Sequence, residues 1–361
     1  MGDPLLLITG ASGLLGGLWL PELSRTRRVV ALTRSPENAR RLEAYPGVTA
    51  LVADLREPRL GIPDEQFRCL QRSASEVIHA AADVRFSQPI EESRLANTVS
   101  TANLLEFAAG CGHLNRFAYL STTYVVGRHE GVLPEGAFCP STFLNSYEQS
   151  KQEAETLVLN AANRLPSAVF RLSSVAGDSR TGIVRQFNHV HQLVRLLPRR
   201  LLPVMPGDPG APVDVIPTDW TMKALSVLYE RAFEPGRVFH LCSGPAASAT
   251  LKEVLEVAVR GIESHDACRR FLPVRVPRMI NASTFEQFAR FLGACNPSAR
   301  ELLRVLGCFL PHLALRQVFE NTRTVQALEA NGVAPAPPIL TYWPAVVRYC
   351  LDTGWGRGAE V

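Results

Sequence analysis

Short apolar runs recur along the first half of the chain at Leu5–Thr9, Val29–Thr33, Thr49–Ala53, Glu76–His79, Phe117–Ser121 and Ala168–Leu172, separated by stretches of helical period. Runs this short, bounded by small or polar residues, predict strands. Their alternation with helices predicts βαβ units and a parallel sheet. Each run ends on a small or polar residue followed by a loop. In an open parallel sheet those carboxyl ends form the ligand crevice.

Farther along, the pattern loosens. Residues 203–217 read as a loop around Pro206-Gly-Asp-Pro-Gly210, entering a short strand near Val213–Ile216. A strand at Arg237–Cys242 is expected to return to the sheet. After residue 265 the character changes. Ser283-Thr-Phe-Glu286 reads as a capping box opening a helix that carries Phe285, Phe288 and Leu292 on one face. The remainder reads as helical, interrupted at Pro297, Pro311 and residues 335–338. The expectation is a core over 1–265 and a smaller, mostly helical substrate or lid region over 266–361. Leu302–Phe319 is apolar but broken by Arg304, Pro311, His312 and Arg316, too interrupted to span a membrane. It reads as buried helices under a substrate channel, with membrane contact at most peripheral.

Composition narrows the class. Hydrophobic residues make up 46% and charged residues 20% of 361, which suits a globular protein with a sizeable core. The net charge of +4 gives no reason to invoke nucleic acid, and it tolerates an anionic cofactor, coenzyme A or an acidic carrier protein. The eight cysteines form no C-x-x-C pair or zinc spacing, and His189 and His191, two apart, suit a strand rather than a metal site. No metal is expected. The first apolar run begins at Leu5 and leads straight into glycines, unlike a secretory signal. Met1-Gly2 lacks the Ser or Thr at position six that myristoylation favours. A cytoplasmic enzyme is the expectation.

Directly after the first strand stands Thr9-Gly-Ala-Ser-Gly-Leu-Leu-Gly16, a T-G-x-x-G-x-x-G motif. Gly10 permits a tight turn, Gly13 lets backbone amides approach a pyrophosphate, and Gly16 allows close helix–strand packing. Ser12, Leu14 and Leu15 complete a turn and helix start whose free N–H groups and dipole favour a diphosphate. The expected fold is therefore α/β, a Rossmann-type doubly wound parallel sheet. The second strand ends Thr33-Arg34, with Arg40 and Arg41 following, so the acid that would accept from ribose hydroxyls is absent and a cation stands ready for a 2′-phosphate. NADPH is the expected cofactor, NADH the alternative. Asp54-Leu55, after the third strand, is placed for the adenine, and Ala80-Ala81-Ala82, after the fourth, for the ribose.

Tyr147-Glu-Gln-Ser-Lys151 lies in a stretch of helical character, and its i, i+4 spacing puts phenol and ammonium on one face. A nearby Lys⁺ favours tyrosinate and is expected to lower the phenol pKa. Tyr147 would donate a proton to a forming alkoxide while Lys151 holds the nicotinamide ribose. A hydroxyl to polarise the substrate oxygen is expected at the end of the preceding strand, where Ser121, Thr122 and Thr123 stand.

Taken together, these stretches resemble the extended short-chain dehydrogenases/reductases, in particular the thioester-reductase and fatty-acyl-reductase (male-sterility) branch. The resemblance covers residues 4–245. Asp54-Leu-Arg-Glu-Pro-Arg-Leu-Gly-Ile62 is similar to that branch's D-L-x-x-P-x-L-G-L, and His79-Ala-Ala-Ala-Asp-Val-Arg-Phe86 to H-x-A-A-x-V-x-F. Ser121-Thr-Thr-Tyr-Val-Val-Gly127, Tyr147–Glu155 and Arg171–Gly182 match three further segments. The 25-residue step from Thr122 to Tyr147 resembles that of the catalytic hydroxyl in extended members, which makes Thr122 the candidate. Leu172, Ala80 and Ser100 depart from the usual proline, asparagine and glycine, and none removes a catalytic group.

The resemblance implies NADPH, a carbonyl or acyl-thioester substrate, and Ser174 and Val175 at the nicotinamide end. The leading expectation is reduction, in biosynthesis, of the carbonyl of an acyl thioester, on coenzyme A or an acyl carrier protein, or of the derived aldehyde, so that the product is an aldehyde or an alcohol. Arginines 195, 199, 200, 269, 270, 275 and 278 could meet phosphopantetheine or an acidic carrier. The alternatives are a ketone or aldehyde reductase acting on a lipophilic metabolite, and a non-catalytic NADP-binding sensor.

Overall fold

The computed structural model describes residues 4–140, 142–198, 204–266, 268, 273–295, 307 and 309–356. Seven strands, β1 (Leu5–Thr9), β2 (Arg28–Thr33), β3 (Val48–Val52), β4 (Ala74–His79), β5 (Arg116–Thr122), β6 (Ser167–Leu172) and β7 (Val238–Leu241), form one parallel sheet. Their order is β3-β2-β1-β4-β5-β6-β7. The order reverses between β1 and β4, and the crevice at a reversal is where such sheets bind ligands. The seven expected strands of this sheet are present with ends shifted by a residue or two.

Both faces of the sheet are covered, so its strands are apolar throughout instead of alternating. On β1, Leu6 and Ile8 pack with Trp19, Leu20, Phe170 and Phe239. Leu5 and Leu7 face the opposite side, with Phe107, Phe117, Tyr119 and Val158. A further core joins helices His189–Leu196, Leu251–Glu263 and Ile339–Asp352 through Val190, Leu255, Ile262, Trp343 and Val347. It draws residues from both sides of position 265.

Several expectations need correcting. The strand expected over Val213–Ile216 breaks at Asp214. Pro212–Val213 pairs antiparallel with Ala249–Thr250, and Val215–Ile216 pairs parallel with Ser174–Val175. The helix Ala282–Cys295 opens before Ser283. Asn281 Oδ1 accepts from the Thr284 amide at 2.8 Å, so Asn281 caps the helix in place of the expected Ser283/Glu286 box. Phe285 is buried as expected. His189 and His191 lie on a helix, not a strand, because Asn188 caps it and His191 Nδ1 accepts from the Asn188 amide at 3.1 Å. Of Leu302–Phe319, residues 302–306 and 308 lie outside the described residues. The rest forms a 3-10 turn, Leu310–Ala314, and a strand, Gln317–Phe319, parallel to Gly131–Leu133, where buried α-helices were expected. Pro311 restricts regular helix there. Among the described residues no helix is long and apolar enough to cross a membrane.

Candidate active site and its cofactor cleft

The glycine loop closes tightly on its surroundings. Gly10 has φ +72°, and a Cβ there would stand 2.5 Å from the Ala80 carbonyl carbon, so the turns after β1 and β4 are in backbone contact. A Cβ on Gly16 would meet Gly10 O at 2.4 Å, the close packing its position predicts. Helix Leu14–Leu23 starts at Gly13 without any side-chain cap. Its first N–H groups are therefore left to a ligand, and the residues present fit a dinucleotide diphosphate.

Two adjoining cavities, of about 520 and 610 Å³, run along the carboxyl ends of the strands. The first is lined by Gly10, Ser12, Gly13, Arg34, Asp54, Leu55, Ala80 and Ala81, together with Ser35, Asn38, Arg56 and Arg85. Arg56 and Arg85 were not singled out in the sequence. The Asp54 carboxylate is engaged by Arg56, with Nη2–Oδ2 at 2.5 Å and Nε–Oδ1 at 2.9 Å, which holds its pKa below the usual range. Arg85 is bound to Asp83 in the same way. Arg34 lines this end from the loop after β2.

The second cavity is lined by Leu14, Leu15, Gly16, Thr122, Tyr147, Lys151, Leu172, Ser174 and Val175. Thr122 closes β5, and Tyr147 and Lys151 sit in the first turns of helix Ser146–Ala161, capped by Asn145. Thr122 lines the cavity with Tyr147 and acts to lower the phenol pKa. Lys151 Nζ donates to Leu120 O at 2.8 Å. Burial lowers the Lys151 pKa to about 7, opposed by the Glu155 charge one helical turn on. The expected lowering of the Tyr147 pKa is not found. Burial raises it, Thr122 only partly offsets this, and the ammonium is directed at the strand carbonyl.

Facing Tyr147 is a wall in which Ser174 is joined by Phe86, Tyr124, His189 and Phe309. Phe86 stacks on Tyr147 with ring centroids 5.4 Å apart. Ser174 Oγ lies 3.1 Å from both Tyr124 Oη and His189 Nε2. Burial pushes the His189 pKa down to about 3, and the Tyr124 hydroxyl up to about 12. Phe309, from the far end of the chain, also lines the cavity, and His312 stacks beside it at 5.6 Å. Phe86 belongs to a motif the sequence displays, whereas nothing local marks Phe309 or His312.

The family described as male sterility protein matches residues 8–225. The isonitrile lipopeptide synthase of Streptomyces coeruleorubidus is 34% identical over 234 residues, 58% of this chain and 16% of that protein. The non-canonical nonribosomal peptide synthetase cpsA of Aspergillus campestris is 26% identical over 338 residues, 79% of this chain and 32% of its own length. The chain thus spans about a third or less of these relatives. Among solved structures, the terminal R domain of the myxalamid PKS-NRPS pathway superposes with a TM-score of 0.80 at 23% identity, covering 100% of this chain and 93% of that one. The reductase (R) domain of a nonribosomal peptide synthetase from Mycobacterium tuberculosis gives 0.70 at 22%, covering 99% and 93%. These structural likenesses speak for the fold. The family match spans more than half of the sequence and includes the whole glycine loop, Thr122, Tyr147 and Lys151, so the chain belongs to the male sterility family, an NAD(P)-binding branch of the extended short-chain dehydrogenases/reductases.

Proposed function

We propose that this chain reduces an acyl thioester, carried on an acyl carrier protein or coenzyme A, to the aldehyde and onward to the alcohol, with NADPH as reductant. The observation that carries the reading is that Thr122, Tyr147 and the buried Lys151 line one cleft whose other end presents uncapped helix amides and Arg34. NADPH bound in this cleft would supply hydride to the carbonyl carbon. Thr122 and Tyr147 hold the carbonyl oxygen as negative charge develops, and the Tyr147 phenol delivers the proton. The resulting hemithioacetal expels the thiol, leaving the aldehyde. Reduction of the aldehyde to the alcohol at the same residues would take hydride from a second NADPH and a second proton through a reprotonated Tyr147. The raised Tyr147 pKa keeps the phenol protonated and ready to donate. Lys151, when protonated, supplies the positive charge beside it.

The relatives support the thioester reading by name, as synthases and synthetases, and two solved neighbours are reductase domains of such assemblies. In this reading the segment around Phe309, which lines the cleft, serves as a lid. For carrier docking, Arg275 and Arg278 are exposed, and Arg195 shares a hydrogen bond with Gln192. Arg199, Arg200, Arg269 and Arg270 lie outside the described residues.

The test is to supply NADPH with a panel of acyl thioesters, aldehydes and ketones and to follow loss of the reduced nicotinamide absorbance. Oxidation by thioesters, with aldehyde or alcohol recovered, supports the reading. Oxidation by ketones or aldehydes alone sinks it and makes the chain a carbonyl reductase of a lipophilic metabolite.

A further inference from the structure

Glu148, next to Tyr147, is buried, with a side chain only 1% exposed, and has no part in the reaction just described. It occupies the third position of the catalytic helix. Its amide donates to Asn145 Oδ1 at 3.0 Å, and its carboxylate accepts from the Leu144 amide at 2.9 Å and from Asn145 Nδ2 at 3.0 Å. A carboxylate at this position bonds free N–H groups and complements the helix dipole, so it pins the turn that holds Tyr147. The third partner comes from the C-terminal region: His312 Nε2 bonds Glu148 Oε1. The other ring nitrogen, Nδ1, lies 3.0 Å from Phe309 O. Both ring nitrogens therefore face oxygen atoms, a carboxylate on one side and a backbone carbonyl on the other. The His312 ring also stacks on Phe309 at 5.6 Å and on Phe86 at 5.9 Å, and Phe86 in turn stacks on Tyr147.

We propose that His312 is a positioning residue: through Glu148 and Phe86 it latches the 309–315 segment to the catalytic helix, so that seating this segment and orienting the Tyr147 phenol are one event. The consequence for turnover rests on the thioester-reductase reading above; the latch itself does not. A bond between segments 164 residues apart, buried at both ends, ties the acid's orientation to closure over the substrate. The sequence shows His312 only as an interruption of an apolar run.

His312→Leu keeps bulk and removes both hydrogen bonds, whereas His312→Gln keeps an N–H that can donate to Glu148. The first measurement is amide hydrogen exchange at Leu144, read without any substrate. Faster exchange in His312→Leu, restored in His312→Gln, is the expected result. Unchanged exchange overturns the latch whatever the turnover shows. In the turnover assay, His312→Leu should lose about tenfold in kcat, because small misplacements of a catalytic group are costly, with NADPH affinity unchanged. His312→Gln should recover most of the rate. Equal impairment of both variants, or loss of cofactor affinity in step with kcat, would overturn the positioning role. A wild-type protein inert toward thioesters would refute the thioester reading, while the exchange result would still decide the latch.

Discussion

Lys151 Nζ and the Leu120 carbonyl oxygen, 2.8 Å apart, join helix Ser146–Ala161 to the strand that ends at Thr122. The ammonium also stands 4.1 Å from the centroid of the Tyr119 ring. A charge held so far from water is weakly kept, and burial brings its pKa to about 7. Raising the pH removes this proton while the Tyr147 phenol, whose pKa is raised, stays protonated. The prediction is that kcat/KM falls as pH rises above about 7 and that Lys151→Met abolishes this limb. A flat profile up to about pH 9 would show that the charge on Lys151 is not needed.

Tyr147→Phe removes the proton donor and leaves the ring that stacks on Phe86. Activity should fall by about 10²–10⁴-fold, the usual worth of a positioned acid, with NADPH still bound. Fluorescence titration separates the two effects. Turnover equal to wild type would place the proton source elsewhere.

Arg34 follows β2, where the chain offers no carboxylate to a ribose hydroxyl. Arg56 and Arg85, which share its cavity, are already bound to Asp54 and Asp83. Arg34→Ala should lower the NADPH-over-NADH ratio of kcat/KM by about tenfold or more, as expected for losing a charge-assisted contact to phosphate. An unchanged ratio would make Arg34 a solvated loop cation.

The main sheet was legible in the sequence because burial on both faces writes each strand as a continuous apolar run. The candidate residues Tyr147 and Lys151 could be picked out because their spacing on one helical face is local. What escaped depends on distant partners. Asp214 breaks its strand while its carboxylate accepts from the Ser243 amide at 2.8 Å, a contact across 29 positions. His312 reaches Glu148 only after the chain has folded. The His189 helix did carry a local signal in Asn188, which the two-apart histidine spacing obscured. Tyr147's raised pKa follows from burial, which a spacing argument does not contain.

Glu155, one turn after Lys151, is tied to Arg171 by Nη2–Oε1 at 2.5 Å and accepts from Ser121 Oγ at 2.6 Å. Arg171 also lies 3.0 Å from His240 Nε2, and neither side chain of the ion pair is more than 3% exposed. Arg171→Met would strand a buried carboxylate, so unfolding in urea should lose about 3–5 kcal/mol. Changing Glu155 to Met as well should recover much of that loss. A double variant as unstable as the single one would mean that packing, not the unpaired charge, sets the cost.

Acid should unfold this protein early. Burial is the leading cause that holds the pKa values of His79, His189 and His240 down to about 3 and that of His191 to about 4. His79 illustrates why: its ring nitrogens meet Thr9 Oγ1 at 2.7 Å and Thr101 Oγ1 at 3.0 Å, with no carboxylate to welcome a proton. In the unfolded chain these rings titrate near about 6.5. Between that value and the folded pKa the unfolded state binds more protons, so the stability these histidines contribute is full above about pH 7 and is lost as pH falls. Each histidine should cost about 1 kcal/mol between about pH 7 and 5.5. Urea midpoints across this range should therefore drop steeply, and His79→Gln, which keeps hydrogen-bonding capacity without the titration, should flatten the slope. A midpoint constant down to about pH 5 would mean these imidazoles accept protons in the folded state, which their burial argues against.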